Sequence, residues 1–443
     1  MHRKNKILFV DDNRDSVNWG CRATSIALYR LLSGGFDVKE TINKRSVDEQ
    51  IPLCLFPFQN KYLAKGKYKK EIRQGLKKLI NSQNIKSKLL LKFLACKGFL
   101  IDTDISKSVD RLIHYKKDFY ELEAIHEKVS NADIVVINGE GSMIFTTPPR
   151  KDLLYQLMII ELSNRLKKPV FYINAMVSDC PNTGRNNDTY NTSMKILSKC
   201  NGVSVRDPFS LTILKGSPVK INAEYIPDAL FTWYEDYKES LLIDCQNYIN
   251  FFIPYPEYEH HIKRWDFSQP YICISDSSTP PKSVIEKNEE MFCILIEEVK
   301  KIGLPVYLVN TGGKAFLNTV GQKTGTPIIP ANTNIFFGGL VLSNAEILIS
   351  GRFHPSILAS LGGTPCIFLE SNSHKTISLQ RVLEYEGCKT FPLNLSKNDI
   401  DEIIQKAHGF LENKDFFKNS IKKTVQERDM EAKRIIQFIE QNI

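Results

Sequence analysis

The chain has 443 residues, 42% of them hydrophobic and 25% charged, and a formal net charge of +9. Its length suits two or three domains of ordinary size, and its composition is that of a globular protein. No run approaches the ~20 consecutive apolar residues of a membrane span, and no nucleic-acid-binding motif accompanies the positive charge.

The ten cysteines are scattered without paired spacing, which matches neither a disulfide framework nor a zinc site. The opening Met1-His2-Arg3-Lys4-Asn5-Lys6 leads directly into an apolar run and lacks a signal-peptide core. A cytoplasmic protein with reduced thiols, no metal and no bound cofactor is expected.

Ile7-Leu8-Phe9-Val10 reads as a first strand, Asp11 to Gly20 as a polar loop, and Cys21 to Gly35 as a helix closed by glycine. Asn18 and Gly20 stand at the helix entrance. Two readings are open there: backbone N–H groups turned toward an anion, or an ordinary capped β-α turn. Residues 61–97 carry eleven lysines and Arg73 against a single acid, Glu71, with leucines at roughly helical spacing. Such a segment is either a solvated helical face or a basic amphipathic helix for an anionic bilayer.

Asn131-Ala132-Asp133-Ile134-Val135-Val136-Ile137 is a second strand, running into the glycine-rich turn Asn138-Gly139-Glu140-Gly141-Ser142. Glu140, an acid between two glycines at a strand end, is a candidate acid/base, and Ser142 a donor contact. A helix from Leu153 to Leu166 precedes a strand at 168–175. Gly202-Val203-Ser204-Val205 follows and ends on Arg206-Asp207, and Ala223 to Ile226 ends on Asp228. Apolar strand interiors with polar strand ends describe a doubly wound parallel sheet whose site lies along one edge.

Residues 232–270 interrupt this alternation. The boundaries expected are therefore 1–235 for a first domain, 236–270 for a linker and 271–443 for a second domain. Tyr271 to Ser278 restarts the strand–loop–helix count, and a further strand at 305–309 ends on Gly312 and Gly313. Next comes Ile347-Leu348-Ile349-Ser350-Gly351-Arg352-Phe353-His354-Pro355, a buried strand, a tight turn and a helix start. Arg352 there is a permanent cation shaped for carboxylate or phosphate, and His354 exchanges protons near neutral pH. Cys366 to Glu370 is a last strand, leading to the polar His374 and Lys375, and the chain ends in charged helical sequence. The fold class is α/β, with two Rossmann-like αβα domains facing across a cleft, and the final helix is placed to cross back.

Ser350-Gly351-Arg352-Phe353-His354 through Gly363-Thr364-Pro365 resembles the Arg-x-His signature of the polysaccharide pyruvyl transferase family. Asn18-Trp19-Gly20, Ala132-Asp133, Ser204-Val205-Arg206-Asp207 and Pro227-Asp228 fall in the same order as in that family. The resemblance implies a GT-B-like fold and transfer of the enolpyruvyl carbons of phosphoenolpyruvate to a sugar as a ketal, in bacterial surface glycan synthesis such as capsule or O-antigen. It implies Arg206 and Arg352 as donor-binding residues and His354 as the general acid. Ser278, Gly312, His374 and Lys375 are further donor-side candidates at loop positions.

Glu140 and Pro355 depart from the family pattern, and Asn18-Trp19-Gly20-Cys21-Arg22 is unlike the glycine-rich entry of typical members. The His354-Pro355 dipeptide is similar to that with which bacterial sialyl- and Kdo-transferases hold a CMP phosphate. Glu140 with Asp228 would be the carboxylate pair of a retaining transfer from a CMP-activated ulosonic acid, Asp228 being the nucleophile and Glu140 the acid/base. A non-catalytic GT-B-like subunit is the third reading. The expected partners are an anionic donor and a glycan acceptor, which could be lipid-linked, with no nucleic acid.

Overall fold

The computed structural model describes residues 4–44, 100–238, 264–277, 282–312 and 315–443. The basic stretch 61–97, Ser278 and the centre of the expected linker lie outside the described residues.

In the first half, β1 (Lys6–Asp12), α1 (Trp19–Gly35) and β2 (Asp37–Asn43) are followed by helices α2 (Ile105–Tyr115) and α3 (Tyr120–Asn131). Then come β3 (Ile134–Phe145), α4 (Lys151–Arg165), β4 (Val170–Asp179), α5 (Asn187–Leu197), β5 (Gly202–Val205), α6 (Pro208–Lys215) and β6 (Ala223–Tyr225). A 3-10 turn, Ala229–Trp233, and the single-turn α7 (Tyr234–Tyr237) close this half. Its sheet is wholly parallel, ordered β2-β1-β3-β4-β5-β6. β1, β3 and β4 are buried on both faces, which is why each reads as an almost continuous apolar run.

β3 extends to Phe145 rather than turning at 138–142, with a register irregularity between Glu140 and Met143. The glycines are local accommodations within the strand. A Cβ on Gly139 would lie 2.5 Å from the Ala175 Cβ, and Glu140 itself has φ +37°.

The second half contains β7 (Ile272–Ser277), α8 (Lys282–Lys300), β8 (Val306–Val309), α9 (Ala315–Thr324), β9 (Ile328–Ile329) and α10 (Ile335–Ser343). β10 (Ile347–Gly351), α11 (Phe353–Leu361), β11 (Cys366–Phe368) and α12 (Lys375–Val382) complete its sheet layer, again all parallel, in the order β11-β10-β7-β8-β9. Three helices end the chain: α13 (Lys397–Glu412), α14 (Lys414–Ala432) and α15 (Arg434–Gln441).

The halves share apolar packing. One buried cluster runs from Phe9, Trp19 and Leu28 through Phe231 to Phe353, Ile357 and Val425. Trp19 is fully buried. Its backbone N–H donates to Thr311 O at 2.9 Å, its indole N–H to Ala331 O at 2.8 Å, and it packs where a Cβ on Gly338 would stand. α15 returns to the first sheet, where Phe438 fills the space beside Gly202 and Asn442 O accepts from Asn201 Nδ2 at 3.1 Å. No helix among the described residues is long and apolar enough to cross a membrane.

Candidate active site

The carboxyl ends of both parallel sheets deliver side chains to the seam between the halves, the position at which open α/β sheets bind ligands. Arg206 leaves the end of β5 and is 2% exposed. Its Nη1 donates to Asp228 Oδ2 at 2.9 Å and lies 2.8 Å from His354 Nε2, which is 3.2 Å from the same carboxylate oxygen. Asp228 follows β6, and His354 sits in the first turn of α11, so three distant segments meet in one buried triad.

Its proton position decides which bonds form. Neutral His354 with a free Nε2 accepts from Arg206, whereas the imidazolium donates to Asp228. Burial alone would push the Asp228 carboxyl up, but His354 and Arg206 override it and hold the group below the usual carboxylate range. The Phe353 ring lies under the guanidinium, 4.4 Å from Arg206 Cζ.

Asp228 exposes no oxygen. Oδ1 accepts from Thr24 Oγ1 at 2.7 Å and from Leu230 N at 2.9 Å, so both oxygens are fully engaged. Glu140 does not pair with it. Glu140 Oε1 accepts from Asn13 Nδ2 at 2.7 Å and Asn138 Nδ2 at 3.2 Å, and Asn138, Asn174 and Thr24 stand in hydrogen-bonded sequence between the two acids. The expected carboxylate pair is therefore replaced by a relay of neutral side chains.

The helix-entrance N–H groups expected to receive an anion are used internally. Asn18 Oδ1 caps Gly20 N at 3.0 Å and Cys21 N at 3.3 Å, Trp19 N goes to Thr311 O, and Arg22 N returns to Asn18 O. The capped-turn reading holds for Asn18. Gly20 has a steric role, since a Cβ there would lie 2.5 Å from His354 Nδ1. Gly312 similarly clears space for Arg352, whose Nη2 would be 3.1 Å from an added Cβ.

Arg352 stands at the position just before α11 without capping it, and its side chain is already engaged. Nε and Nη2 form a two-pronged ion pair with the Asp276 oxygens, each at 2.8 Å. Lys375 opens α12, and its Nζ donates to Asn372 Oδ1 at 2.9 Å. Among the described residues it has no carboxylate partner. Burial, followed by the nearby Arg352 and Arg206 charges, pulls its ammonium down to about 7, with Arg150 adding to the effect. Four cations from both halves thus act on one region: Arg206, Arg150 and Arg352, paired with Asp228, Asp152 and Asp276, and Lys375.

His374 is not in that group. Its Nε2 lies 3.1 Å from Asp207 Oδ1, its ring stacks on Phe209, and Ser210 and Ser378 also bond Asp207, so it tethers the halves. Ser142 is buried and accepts from Lys44 Nζ at 3.2 Å, in a charged pocket with Asp152 and Asp11. Burial lifts Asp11, which is hydrogen-bonded by Gln156, to about 6, with Lys44 opposing. Asp11 at φ +60° and Asn174 at φ +54° share the left-handed strain of Glu140 on neighbouring strand ends. Asp276, Thr24, Asn174, Arg150 and Lys44 were not singled out from the sequence. Only Asp276, an acid at a strand end, carried a signal of the kind that marked Asp228. Among the described residues no group of three or more His, Cys, Asp or Glu is placed to hold a metal ion.

The family model described as polysaccharide pyruvyl transferase matches residues 56–373. No curated protein matches the chain. Among solved structures, the UDP-GlcNAc 2-epimerase of Neisseria meningitidis bound to UDP-GlcNAc aligns at 12% identity and a TM-score of 0.50, over 99% of this chain and 100% of that one. Os79 of O. sativa, in complex with U2F and trichothecene, aligns at 10% identity and a TM-score of 0.52, with the same coverage. At such identities the likeness shows the fold alone, which is the GT-B arrangement expected from the sequence.

Proposed function

Because the chain belongs to the polysaccharide pyruvyl transferase family and is a transferase, we propose that it moves the enolpyruvyl carbons of phosphoenolpyruvate onto two hydroxyls of a bacterial surface glycan as a ketal. The convergence of Arg206, Arg150, Arg352 and Lys375 carries this reading, with Lys375 lacking any carboxylate partner among the described residues. A small, multiply charged anion supplies the counter-charge that Lys375 lacks, while Arg206, Arg352 and Arg150, already paired with Asp228, Asp276 and Asp152, add a positive field around it. In this reading residues 271–443 form the donor side and 1–235 the acceptor side, with Arg206 and Arg150 reaching across.

The chemistry balances with the residues present. One acceptor hydroxyl adds to C2 while a proton reaches C3 from His354, whose imidazolium Asp228 stabilises. A second hydroxyl then displaces phosphate at C2. Of the two hydroxyl protons, one replaces that lost by His354 and the other leaves with phosphate. The full burial and saturation of Asp228 support its reading as the holder of Arg206 and His354 rather than as a nucleophile for a CMP-activated ulosonic acid. Calorimetry of the protein against phosphoenolpyruvate, CMP and CDP tests the proposal. Saturable phosphoenolpyruvate binding is expected, and CMP binding without it would overturn the reading.

A further inference from the structure

A cavity lies beside the cationic site, and its chemistry is the opposite. It is a cleft of about 480 Å³ between the turn after β4 and the loop joining β11 to α12. That volume falls within the roughly 300–1,000 Å³ of small-ligand pockets. Uncharged hydrogen-bonding groups line it, the hydroxyls of Ser178 and Thr390 and the amides of Asn182 and Asn372, beside His374, whose Nε2 is held by Asp207. Asp179 and Glu370 add carboxylates, and no lysine or arginine lines it among the described residues. Asp179 is paired with Arg185, at 2.7 and 2.9 Å, whereas the exposed Glu370 carboxylate has no partner among the described residues.

An anion placed here would face the unpaired Glu370 carboxylate and, with no lysine or arginine on the wall among the described residues, lose its hydration uncompensated. Hydroxyl groups suit it instead, because amides both donate and accept while carboxylates accept, in the pattern that a polyol presents. The cleft also adjoins the donor region through one residue: Asn372, on its wall, holds the Lys375 ammonium through Oδ1.

We propose that this cleft is the acceptor subsite and takes an uncharged glycosyl unit, which places the hydroxyl-bearing substrate one side chain away from the cationic donor site. The proposal rests on the pyruvyl-transfer reading for what the bound sugar is used for, but not for the binding itself.

Saturation-transfer NMR on the full chain tests it, with methyl β-galactopyranoside, methyl β-glucopyranoside, methyl α-mannopyranoside and glucuronate as probes. Thr390→Trp and Asn182→Trp, both at loop positions, fill the cleft. The expected result is saturation of a neutral glycoside over glucuronate, lost in both variants, while calorimetric phosphoenolpyruvate binding persists and reports an intact fold. Three results overturn the proposal: no neutral glycoside saturated by the unsubstituted protein, glucuronate saturated as strongly, or a neutral signal that survives in both variants. Phosphoenolpyruvate binding absent from the unsubstituted protein would instead defeat the donor assignment and leave the glycoside result standing on its own.

Discussion

Asp228→Asn is the sharpest perturbation of the buried triad, because it alters charge with almost no change in shape. The retained Oδ1 still accepts from Thr24 and Leu230 N, at 2.7 and 2.9 Å. The new amide N–H groups, however, point at Arg206 Nη1, formerly 2.9 Å from an acceptor, and leave a guanidinium 2% exposed without its counter-ion. Arg206 Nε already lacks a partner among the described residues. Removing one member of a buried ion pair costs about 3–5 kcal/mol, and the two retained hydrogen bonds place this case at the lower end, about 3 kcal/mol.

Urea unfolding of both proteins from pH 7.5 to pH 3 measures the loss. The folded-state pKa of Asp228 is depressed, so its contribution is fully present above the unfolded carboxylate pKa of about 3.9 and is lost as pH falls toward the folded value. The deficit of the variant should therefore be constant near neutrality and shrink below about pH 4. A loss under about 1 kcal/mol, or a deficit that persists unchanged in acid, would refute the role assigned to this ion pair.

Lys375 titrates near neutrality in the free protein, at about 7, and a bound anion favours its charged form. Phosphoenolpyruvate binding should therefore take up a proton and weaken by up to about tenfold per pH unit above 7, and Lys375→Met should flatten that slope in calorimetry. Gly20→Ala introduces a Cβ at 2.5 Å from His354 Nδ1, and the displaced imidazole should cost about 1–3 kcal/mol in thermal unfolding and most of the turnover. Trp19→Ala empties a fully buried indole site between the halves and should lower unfolding free energy by about 3–5 kcal/mol. Retention of full stability in that variant would contradict the shared core.

The alternation of apolar runs and polar ends made the two parallel sheets legible, because strands buried on both faces must be apolar along their length. The edge strand β2 was not legible. Asp37, Lys39 and Glu40 carry no apolar run, and only pairing with β1 makes the segment a strand. β3 reads as ending at Ile137 because glycine signals a turn, yet here Gly139 meets close neighbours within a strand that continues to Phe145.

Arg206, Asp228 and His354 were legible as strand-end or helix-start polar groups, but their union in one triad spans 148 positions between Arg206 and His354 and depends on how the halves pack. Asn18 shows the limit of local inference. The same Asn-x-Gly that suits an anion site also caps a helix, and only Thr311 O and the cap geometry decide between them. Thr24 and Asn174 lie inside ordinary helix and strand sequence, and nothing local marks their buried bonds.

In the proposed reaction the three donor carbons pass to two hydroxyls of the acceptor and phosphate is released. The most direct measurement follows [3-¹³C]phosphoenolpyruvate by NMR with a bacterial surface glycan, alongside inorganic phosphate. A new ketal methyl signal should grow in one-to-one proportion with released phosphate, and neither should appear in Arg352→Ala. Phosphate released without a ketal methyl, or glycosyl transfer from a CMP-activated sugar with no phosphoenolpyruvate consumed, would contradict it.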